Sequence, residues 1–261
     1  MFTLKDYVGH VLIGTPLETP IRILRYVIQS RQRWKNPELN EIYVESSRVE
    51  HLMERVIHDS MNCIDVGSHL GSMIDRMKRL SPKGQHIAVE PIPYKAHWLK
   101  KKYPDVSVLQ IALSDKTGEE EFFFQPSRSA YSGLRLNGSG EEKVELIRVK
   151  CMRLDEVVPS DRPIGFMKII AEGAELPILR GSEQILQRSH PIVLFECIRA
   201  ELDTFGINPK DVYDFLVQQN NYSVFLIKDW FENRDPLSYE AFVQAMQYPF
   251  EAFRFLAVHK G

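Results

Sequence analysis

The fold is indicated most clearly by the stretch Ile64-Asp65-Val66-Gly67-Ser68-His69-Leu70-Gly71, because a short apolar strand runs directly into a glycine turn and a helix there. Gly67 lets the backbone approach a ligand closely, and the helix that begins near Gly71 directs free N–H groups to the same place. Asp65 would repel a pyrophosphate and favours a ligand with positive charge. The stretch therefore predicts a ligand site at the end of a strand.

A second acidic residue ends the next predicted strand, His86–Glu90. A carboxylate at Glu90 is placed to accept hydrogen bonds from both hydroxyls of a ribose. The dinucleotide fingerprint GxGxxG is absent, since Gly67 and Gly71 are spaced GxxxG, and there is no GK[ST] phosphate loop. S-adenosylmethionine is a nucleoside that also carries positive charge, so it has both of the features that this site would bind. We expect this cofactor, and not NADP or another nucleotide of an oxidoreductase.

Strands and helices alternate from about residue 60 onward. Predicted strands at 63–66, 86–90 and 106–113 enclose predicted helices at 70–80 and 94–103. This order is typical of right-handed βαβ units, in which parallel strands form one sheet and helices cover it. The sequence therefore predicts an α/β fold.

The alternation is interrupted between about residues 115 and 150. Segments 119–124 and 144–149 predict an antiparallel hairpin, and the Ser-, Gly- and Arg-rich residues 125–143 predict a loop that covers the substrate. The alternation then resumes with predicted strands at 166–170, 192–197, 223–227 and 253–259, predicted helices at 176–186 and 210–218, and an irregular aromatic segment at 229–249.

Residues 1–50 are predicted to be an N-terminal helical extension, and residues 51–261 a single α/β domain. A helix is predicted from Pro20, and residues 1–35 contain six basic against two acidic residues, a local charge of +4. We expect this helix to dock on the domain. A membrane-surface or partner-binding helix is the alternative, and the sequence leaves open whether the extension forms a homodimer.

The composition argues against several classes of protein. With 33 basic and 35 acidic residues the formal net charge is −2, without the basic excess that nucleic-acid binding needs. No apolar run approaches the roughly 20 residues of a transmembrane helix, and the first residues lack the order of a secretory signal. The three cysteines are far apart, which suits a reducing compartment. We expect a cytoplasmic protein without a nucleic-acid partner.

Six blocks of sequence carry a family pattern: IDVGSHLG (64–71), AVEPIP (88–93), IALSDKTGEEEFF (111–123), MRLDEV (152–157), MKIIAEGAELPILRG (167–181) and PIVLFE (191–196). Together they resemble the FkbM-type S-adenosylmethionine-dependent methyltransferases over roughly residues 60–260. The resemblance implies the class I, Rossmann-like fold, a seven-stranded, mostly parallel sheet with an antiparallel last strand and helices on both faces. It also implies methyl transfer to an oxygen of a small hydroxylated substrate, such as a sugar.

The resemblance also assigns positions in the cofactor site. It implies that the glycine turn cradles the methionine end of the cofactor, that Glu90 holds the ribose, and that the segment 111–114 flanks the adenine. The cofactor-binding residues predicted in this way are Asp65, Gly67, Ser68, His69, Gly71, Glu90, Pro91, Ala112 and Ser114.

One block departs from the family pattern. Residues 168–175 read K-I-I-A-E-G-A-E where the family usually has K-I-D-V-E-G-A-E, so Ile170 replaces an aspartate. A base or metal ligand that the family could place there is missing. A cofactor-binding relative with lost or altered catalysis is therefore the alternative function.

The catalytic candidates are Glu172, Glu196 and His69, which follow predicted strand ends. A nearby base would help a hydroxyl acceptor to lose its proton, and two carboxylates on adjacent strand ends also suggest a divalent cation. Structural roles are the alternatives: a helix cap for Glu172, an ion pair with Arg199 for Glu196, and orientation of the backbone for His69.

Overall fold

Ten strands are present in the part of the chain that this computed structural model describes, which is residues 34–136 and 143–261 with Leu12, Thr15 and Pro20. The helix predicted after Pro20 and the end of the loop predicted at 125–143 lie outside the described residues. The strands are β1 (Cys63–Val66), β2 (Ile87–Val89), β3 (Ser107–Leu109), β4 (Ala112–Leu113), β5 (Gly118–Phe124), β6 (Glu145–Met152), β7 (Phe166–Ile169), β8 (Ile192–Glu196), β9 (Tyr222–Leu226) and β10 (Arg254–His259).

Seven of these strands form one sheet in the order β3-β2-β1-β7-β8-β10-β9. Strands β3, β2, β1, β7 and β8 pair in parallel, and β10 runs antiparallel to both of its neighbours. Every residue of β1, β2 and β7 is buried, which explains their short, continuous apolar runs. The predicted α/β fold with an antiparallel last strand is confirmed.

Helices cover both faces of this sheet. The described α-helices are α1 (Asn40–Val56), α2 (Ser72–Leu80), α3 (Pro93–Lys102), α4 (Leu154–Val157), α5 (Glu175–Arg180), α6 (Glu183–Ser189), α7 (Arg199–Thr204), α8 (Pro209–Asp214), α9 (Ile227–Phe231) and α10 (Tyr239–Ala245). Successive strand residues point to opposite faces, so Cys63 belongs to the core cluster that includes α1, α2 and α3, whereas Ile64 belongs to the cluster that includes α5, α6 and α8. No helix among the described residues is long and apolar enough to cross a membrane.

The predicted hairpin is present. The prediction of one continuous strand at 106–113 was wrong, because the chain forms two short strands there, β3 and β4. Strands β5 and β6 pair in antiparallel register. β3 ends at Leu109 because its partner β2 has three residues, and the chain then crosses to form β4, which pairs in parallel with Cys151 and Met152 of β6. β4, β6 and β5 form a separate three-stranded sheet.

The single helix predicted at 176–186 was also wrong, because the chain forms α5 and α6 with a break at Gly181. A Cβ at Gly181 would lie 2.1 Å from the carbonyl oxygen of Ser114, so the backbone here packs directly on another loop. Asp155 accepts the N–H groups of Gln184 and Ile185, both at 3.0 Å, and so starts the new helix.

The segment 229–249, predicted to be irregular, contains the end of α9 and all of α10. Ser238 caps α10 by accepting the N–H of Ala241. Phe242 of α10 is fully buried, with its ring centroid 4.7 Å from that of Phe255 in β10. The aromatic residues of this segment therefore include part of the core.

The proposed division between an extension and a domain at residue 50 stays a prediction. Helix α1 crosses that position, and Val49, Leu52 and Met53 are fully buried against the sheet. The part of the extension that the structure describes is thus continuous with the core of the domain.

A buried ion pair joins β1 to β7 at the centre of the sheet. Asp65 and Lys168 are partners in the strand register, and Lys168 Nζ lies 3.1 Å from Asp65 Oδ1. The ammonium also donates to the carbonyl oxygens of Val66 and Gly67, both at 2.8 Å. Asp65 is fully buried and Lys168 nearly so, so each charge depends on the other for its compensation.

Replacing Lys168 with Met would leave the Asp65 carboxylate buried without its cationic partner. We expect Lys168→Met to lower the free energy of unfolding by about 3–5 kcal/mol, as measured by urea denaturation. The double variant Asp65→Asn/Lys168→Met should recover part of the loss, since neither charge remains. The control is Lys150→Met, at an exposed position of β6, which should change the free energy of unfolding by less than about 0.5 kcal/mol. Equal effects of Lys168→Met and Lys150→Met would contradict this account.

Candidate active site

A cavity of about 430 Å³ opens at the carboxyl ends of β1, β2, β7 and β8. Open α/β sheets bind ligands at this edge, where the strand order reverses. One wall is the glycine turn with the end of β2, and another is the turn after β7 with the first turn of α7. Residues 126–134, which follow β5 and which we call the roof segment, supply a third wall from Ser129 to Leu134.

The glycine turn is held in a conformation that excludes side chains. Gly67 has a φ of 71°, and a Cβ there would lie 2.1 Å from the carbonyl oxygen of Ile170. The N–H groups of Gly67 and Ser68 both donate to the Val89 carbonyl oxygen at 3.0 Å. Gly71 has a φ of 95°, and a Cβ there would lie 2.6 Å from the ring of Tyr103. The predicted glycine turn is therefore required by both backbone conformation and packing.

Four of the predicted cofactor residues do not line the cavity; Asp65, Ser68 and Gly71 belong to the glycine turn and its support, and Ser114 lies apart from it. The Asp65 carboxylate faces Lys168, because the strand register places the two side chains together. Ser68 donates through Oγ to the Asp65 carbonyl at 2.7 Å, and Ser114 donates to Asp115 at 3.2 Å. Gly71 begins α2. The structure thus does not bring Asp65, Ser68, Gly71 or Ser114 to the cavity wall.

Glu90 does line the cavity, and both of its carboxylate oxygens are held by backbone groups. The His69 N–H donates to Oε2 and the Ile92 N–H donates to Oε1, each at 2.9 Å. Burial raises the pKa of Glu90, opposed by the Lys95 charge and by these two hydrogen bonds. Each oxygen keeps a further lone pair, so the fixed carboxylate can accept two hydroxyl donors from the cavity side.

The part of the cavity beside Glu90 is lined by apolar residues. Ile111, Ala112 and Leu113 line it as predicted for the segment 111–114, and Pro91 is also part of the wall. Apolar side chains on a rigid sheet edge suit a flat aromatic ring. The Glu90 carboxylate and this apolar floor together suit a nucleoside.

His69 contributes through its backbone and its ring. It has a φ of 52°, and the strained turn directs its N–H to Glu90. Its ring Nε2 lies 3.3 Å from Ser129 Oγ in the roof segment. The structure thus places His69 between the glycine turn and the roof segment. Its backbone has the orienting role that was the structural alternative. Its predicted catalytic role stays a prediction.

Four glutamates gather where β7 and β8 end, and the sequence predicted two of them. Glu172 and Glu196 line the cavity, as does Glu201 of α7, whereas the buried Glu175 lies behind them. The turn that carries Glu172 packs on α7, since a Cβ at Gly173 would lie 2.6 Å from the Glu201 carbonyl oxygen. Glu201 was missed because its distance from Glu172 along the chain conceals this contact.

Crowding and burial shift the titration of these carboxyls. Burial, followed by the charges of Glu172, Glu196 and Glu175, raises the pKa of Glu201 to about 9. Burial also raises the pKa of Glu175 to about 8, although its carboxylate accepts the Ala171 N–H at 2.7 Å. Burial raises the pKa of Glu196 too, opposed mainly by Arg254. Glu175 and Glu201 are therefore mainly protonated at neutral pH.

A metal site does not follow from this group. Among residues 34–136 and 143–261, no three or more His, Cys, Asp or Glu side chains are arranged to hold a metal ion. The divalent cation suggested by Glu172 and Glu196 has no ligand set in this part of the chain. Nor does Glu196 pair with Arg199, whose guanidinium binds Asp203 at 3.0 Å.

Two more cavity residues were not predicted as site residues. Lys95, which begins a run of lysines in α3, is 1% exposed and lines the cavity. Arg254 of β10 also reaches the wall and lies 3.4 Å from Glu45. The signal that could have identified Lys95 is its place in the first turn of a helix that starts directly after Glu90. Ile170, in place of the family's aspartate, lines the cavity as well.

The comparison with known proteins agrees with this geometry. Residues 65–224, more than half of the chain, match the family model described as the methyltransferase FkbM domain. The chain belongs to the FkbM methyltransferase family. S-adenosylmethionine is the methyl donor that this family uses.

Solved structures with a similar fold include an FkbM methyltransferase from Methylobacillus flagellatus, with 14% identity, a TM-score of 0.49 and coverage of 77% of this chain and 44% of that one. This chain thus spans less than half the length of that protein. Others are an O-methyltransferase from Bacillus cereus (14% identity, TM-score 0.43, 81% and 78% covered) and an rRNA methylase from Streptococcus thermophilus (14% identity, TM-score 0.42, 80% and 91% covered). A search of curated proteins gives no match.

The residues of this FkbM chain fit the nucleoside part of the cofactor. Glu90 would hold the ribose hydroxyls, Ile111, Ala112 and Leu113 would contact the adenine, and Gly67 would let the backbone approach the methionine part. The fit rests on a carboxylate that two backbone N–H groups hold in place, next to the apolar side chains of the cavity wall.

The raised pKa of Glu175 makes stability depend on pH. The folded state binds the proton of this carboxyl more tightly than the unfolded state, so its stabilising effect is fully present below pH 4.5 and is lost as the pH rises to about 8. We expect the free energy of unfolding to fall across this window, and Glu175→Gln to make the fall shallower. Urea denaturation at several pH values measures it, with the exposed Glu120→Gln as control. Parallel profiles for the native chain and Glu175→Gln would contradict this expectation.

Proposed function

We propose that the chain transfers the methyl group of S-adenosylmethionine to a hydroxyl oxygen of a small metabolite or sugar. The observation that carries the proposal is the placement of Glu172, Glu196 and Glu201, which line the same cavity as Glu90. Carboxyl groups accept hydrogen bonds from hydroxyls and take up their protons. One cavity thus combines a nucleoside site with proton acceptors for an alcohol.

The residues of the chain would supply alignment and proton transfer. When bound, S-adenosylmethionine supplies a methyl carbon that the adjacent sulfonium already activates. Glu90 would fix the ribose, and Glu172, Glu196 and Glu201 would orient the acceptor hydroxyl. An ionised member of this group would take the hydroxyl proton. The raised pKa of Glu196 suits the role, because a more basic carboxylate accepts an alcohol proton more readily. Glu201, with a pKa of about 9, is protonated at neutral pH and would donate a hydrogen bond instead.

A small acceptor, as opposed to nucleic acid, is part of the proposal. The cavity of about 430 Å³ is of a size that small-molecule sites have. The formal net charge of −2 supplies no overall basic excess for phosphate binding. The cytoplasmic location and the homodimer stay predictions.

Calorimetry with S-adenosylmethionine tests the cofactor site. We expect the native chain to bind the cofactor and Glu90→Gln to bind it about tenfold or more weakly, since a charged hydrogen-bond acceptor is lost. Glu121→Gln, at an exposed position of β5, is the matched control and should bind as the native chain does. If the native chain does not bind the cofactor at high-micromolar concentrations, the proposed function is wrong.

A second candidate is a cofactor-binding relative whose catalysis is lost or altered, and Ile170 favours it. An apolar side chain lines the cavity where the family usually has a carboxylate. That carboxylate would supply a base which the isoleucine cannot replace.

The variant Ile170→Asp separates the two candidates. We expect the native chain to transfer tritiated methyl groups to a panel of sugars and hydroxylated metabolites, and Ile170→Asp not to increase this transfer, because the carboxyl groups of Glu172 and Glu196 already line the cavity. Ile170→Asn, which is polar but uncharged, is the matched control. Transfer that appears only in Ile170→Asp would instead support the second candidate.

A further inference from the structure

Lys95 is a buried cation in a helix whose other lysines are exposed or half-exposed. It is 1% exposed, in the first turn of α3, whereas Lys100 and Lys101 lie on the solvent side of the same helix. Burial of an ammonium is costly unless the protein supplies hydrogen-bond acceptors and compensating charge. The position of Lys95 is therefore set by specific contacts, and not by a general preference for burial.

Those contacts lie on two sides of the cavity. Lys95 Nζ donates to the Ser129 carbonyl oxygen in the roof segment at 2.9 Å. On the other side, its charge acts on the Glu90 carboxylate and opposes the rise in pKa that burial causes there. One side chain thus links the residue proposed to hold the ribose to the segment that covers the cavity.

The roof segment is braced internally, so a single tether can position all of it. The Gln125 N–H donates to Ser132 Oγ, and Gln125 Nε2 donates to the Tyr131 carbonyl oxygen, both at 3.0 Å. Gly133 exchanges backbone hydrogen bonds with Phe123 of β5. These contacts make residues 126–134 a compact unit attached at both ends to the hairpin sheet.

The far end of the roof segment touches the glutamate group. A Cβ at Gly133 would lie 3.2 Å from the Cβ of Glu172, and Leu134 is buried beside the cavity. The roof therefore spans the cavity from Lys95 and His69 on the ribose side to Glu172 on the side proposed for the acceptor.

We propose that Lys95 is a positioning residue that couples occupation of the cofactor site to closure of the roof segment over the acceptor. This inference rests on the proposed function. Glu90 and residues 129–134 of the roof segment line the same cavity, so a cofactor held there would contact both, and its binding would favour the closed roof that Lys95 holds. By linkage, a closed roof favours cofactor binding to the same extent. The acceptor side would then be complete in a larger fraction of molecules when the cofactor is bound.

Hydrogen exchange followed by mass spectrometry tests the coupling, with S-adenosylhomocysteine as the probe. In the native chain we expect the probe to slow amide exchange in residues 126–134. Lys95→Met should still bind the probe by calorimetry, but its roof amides should exchange about tenfold or more faster, as expected when a hydrogen bond from a charged donor is lost, and the probe should no longer slow them. A merely structural role would not remove the response to the probe.

Three further variants make the result specific. Lys100→Met, on the exposed side of α3, is the matched control and should respond to the probe as the native chain does. Ser129→Ala removes the contact with His69 but keeps the carbonyl that Lys95 binds, and should retain the response. If Lys95→Met fails to fold, Lys95→Gln keeps a polar side chain of shorter reach and should also lose the response.

The outcomes separate this inference from the proposed function. If the native chain binds the probe and Lys95→Met or Lys95→Gln shows the native slowing of roof exchange, the coupling is wrong and the proposed function stands. If the native chain does not bind the probe, both are overturned.

Discussion

The buried ion pair between Asp65 and Lys168 is the interaction on which the site depends. Its two members occupy facing positions of β1 and β7, and the ammonium also binds the carbonyl oxygens of Val66 and Gly67. Those two carbonyls belong to the end of β1 and the glycine turn, so the pair fixes the turn relative to β7. The buried charges thus hold the position of backbone that a ligand must approach closely.

The carboxyl groups of the cavity fall into two electrostatic environments. Glu90 is held by two backbone N–H groups beside the charge of Lys95, which counteracts the effect of burial. Glu196 is instead buried and Glu201 half-buried near other carboxyls, and their pKa values are raised. The first environment keeps a rigid hydrogen-bond acceptor in place, whereas the second favours the protonated form of the carboxyl groups. This division gives the two ends of one cavity different chemistry.

The accuracy of the sequence-based prediction depended on how local the determining interactions are. The strands of the sheet were located because fully buried strands are short apolar runs, and the glycine turn was located because few residues tolerate its backbone angles. The third strand was misplaced because β4 is defined by its pairing with β6, about 40 residues later. The break between α5 and α6 was missed because it depends on Asp155 and on the packing of Gly181 against Ser114.

The sequence by itself determined the α/β fold, the family, the glycine turn and the place of Glu90, since each is encoded by neighbouring residues or by the spacing of turns. Only the tertiary structure decided that Asp65 faces Lys168, that Glu201 joins Glu172 and Glu196, and that Lys95 binds the roof segment. These contacts join residues far apart in the chain. Side-chain direction there is set by the strand register and by the packing of loops, and neither leaves a local pattern in the sequence.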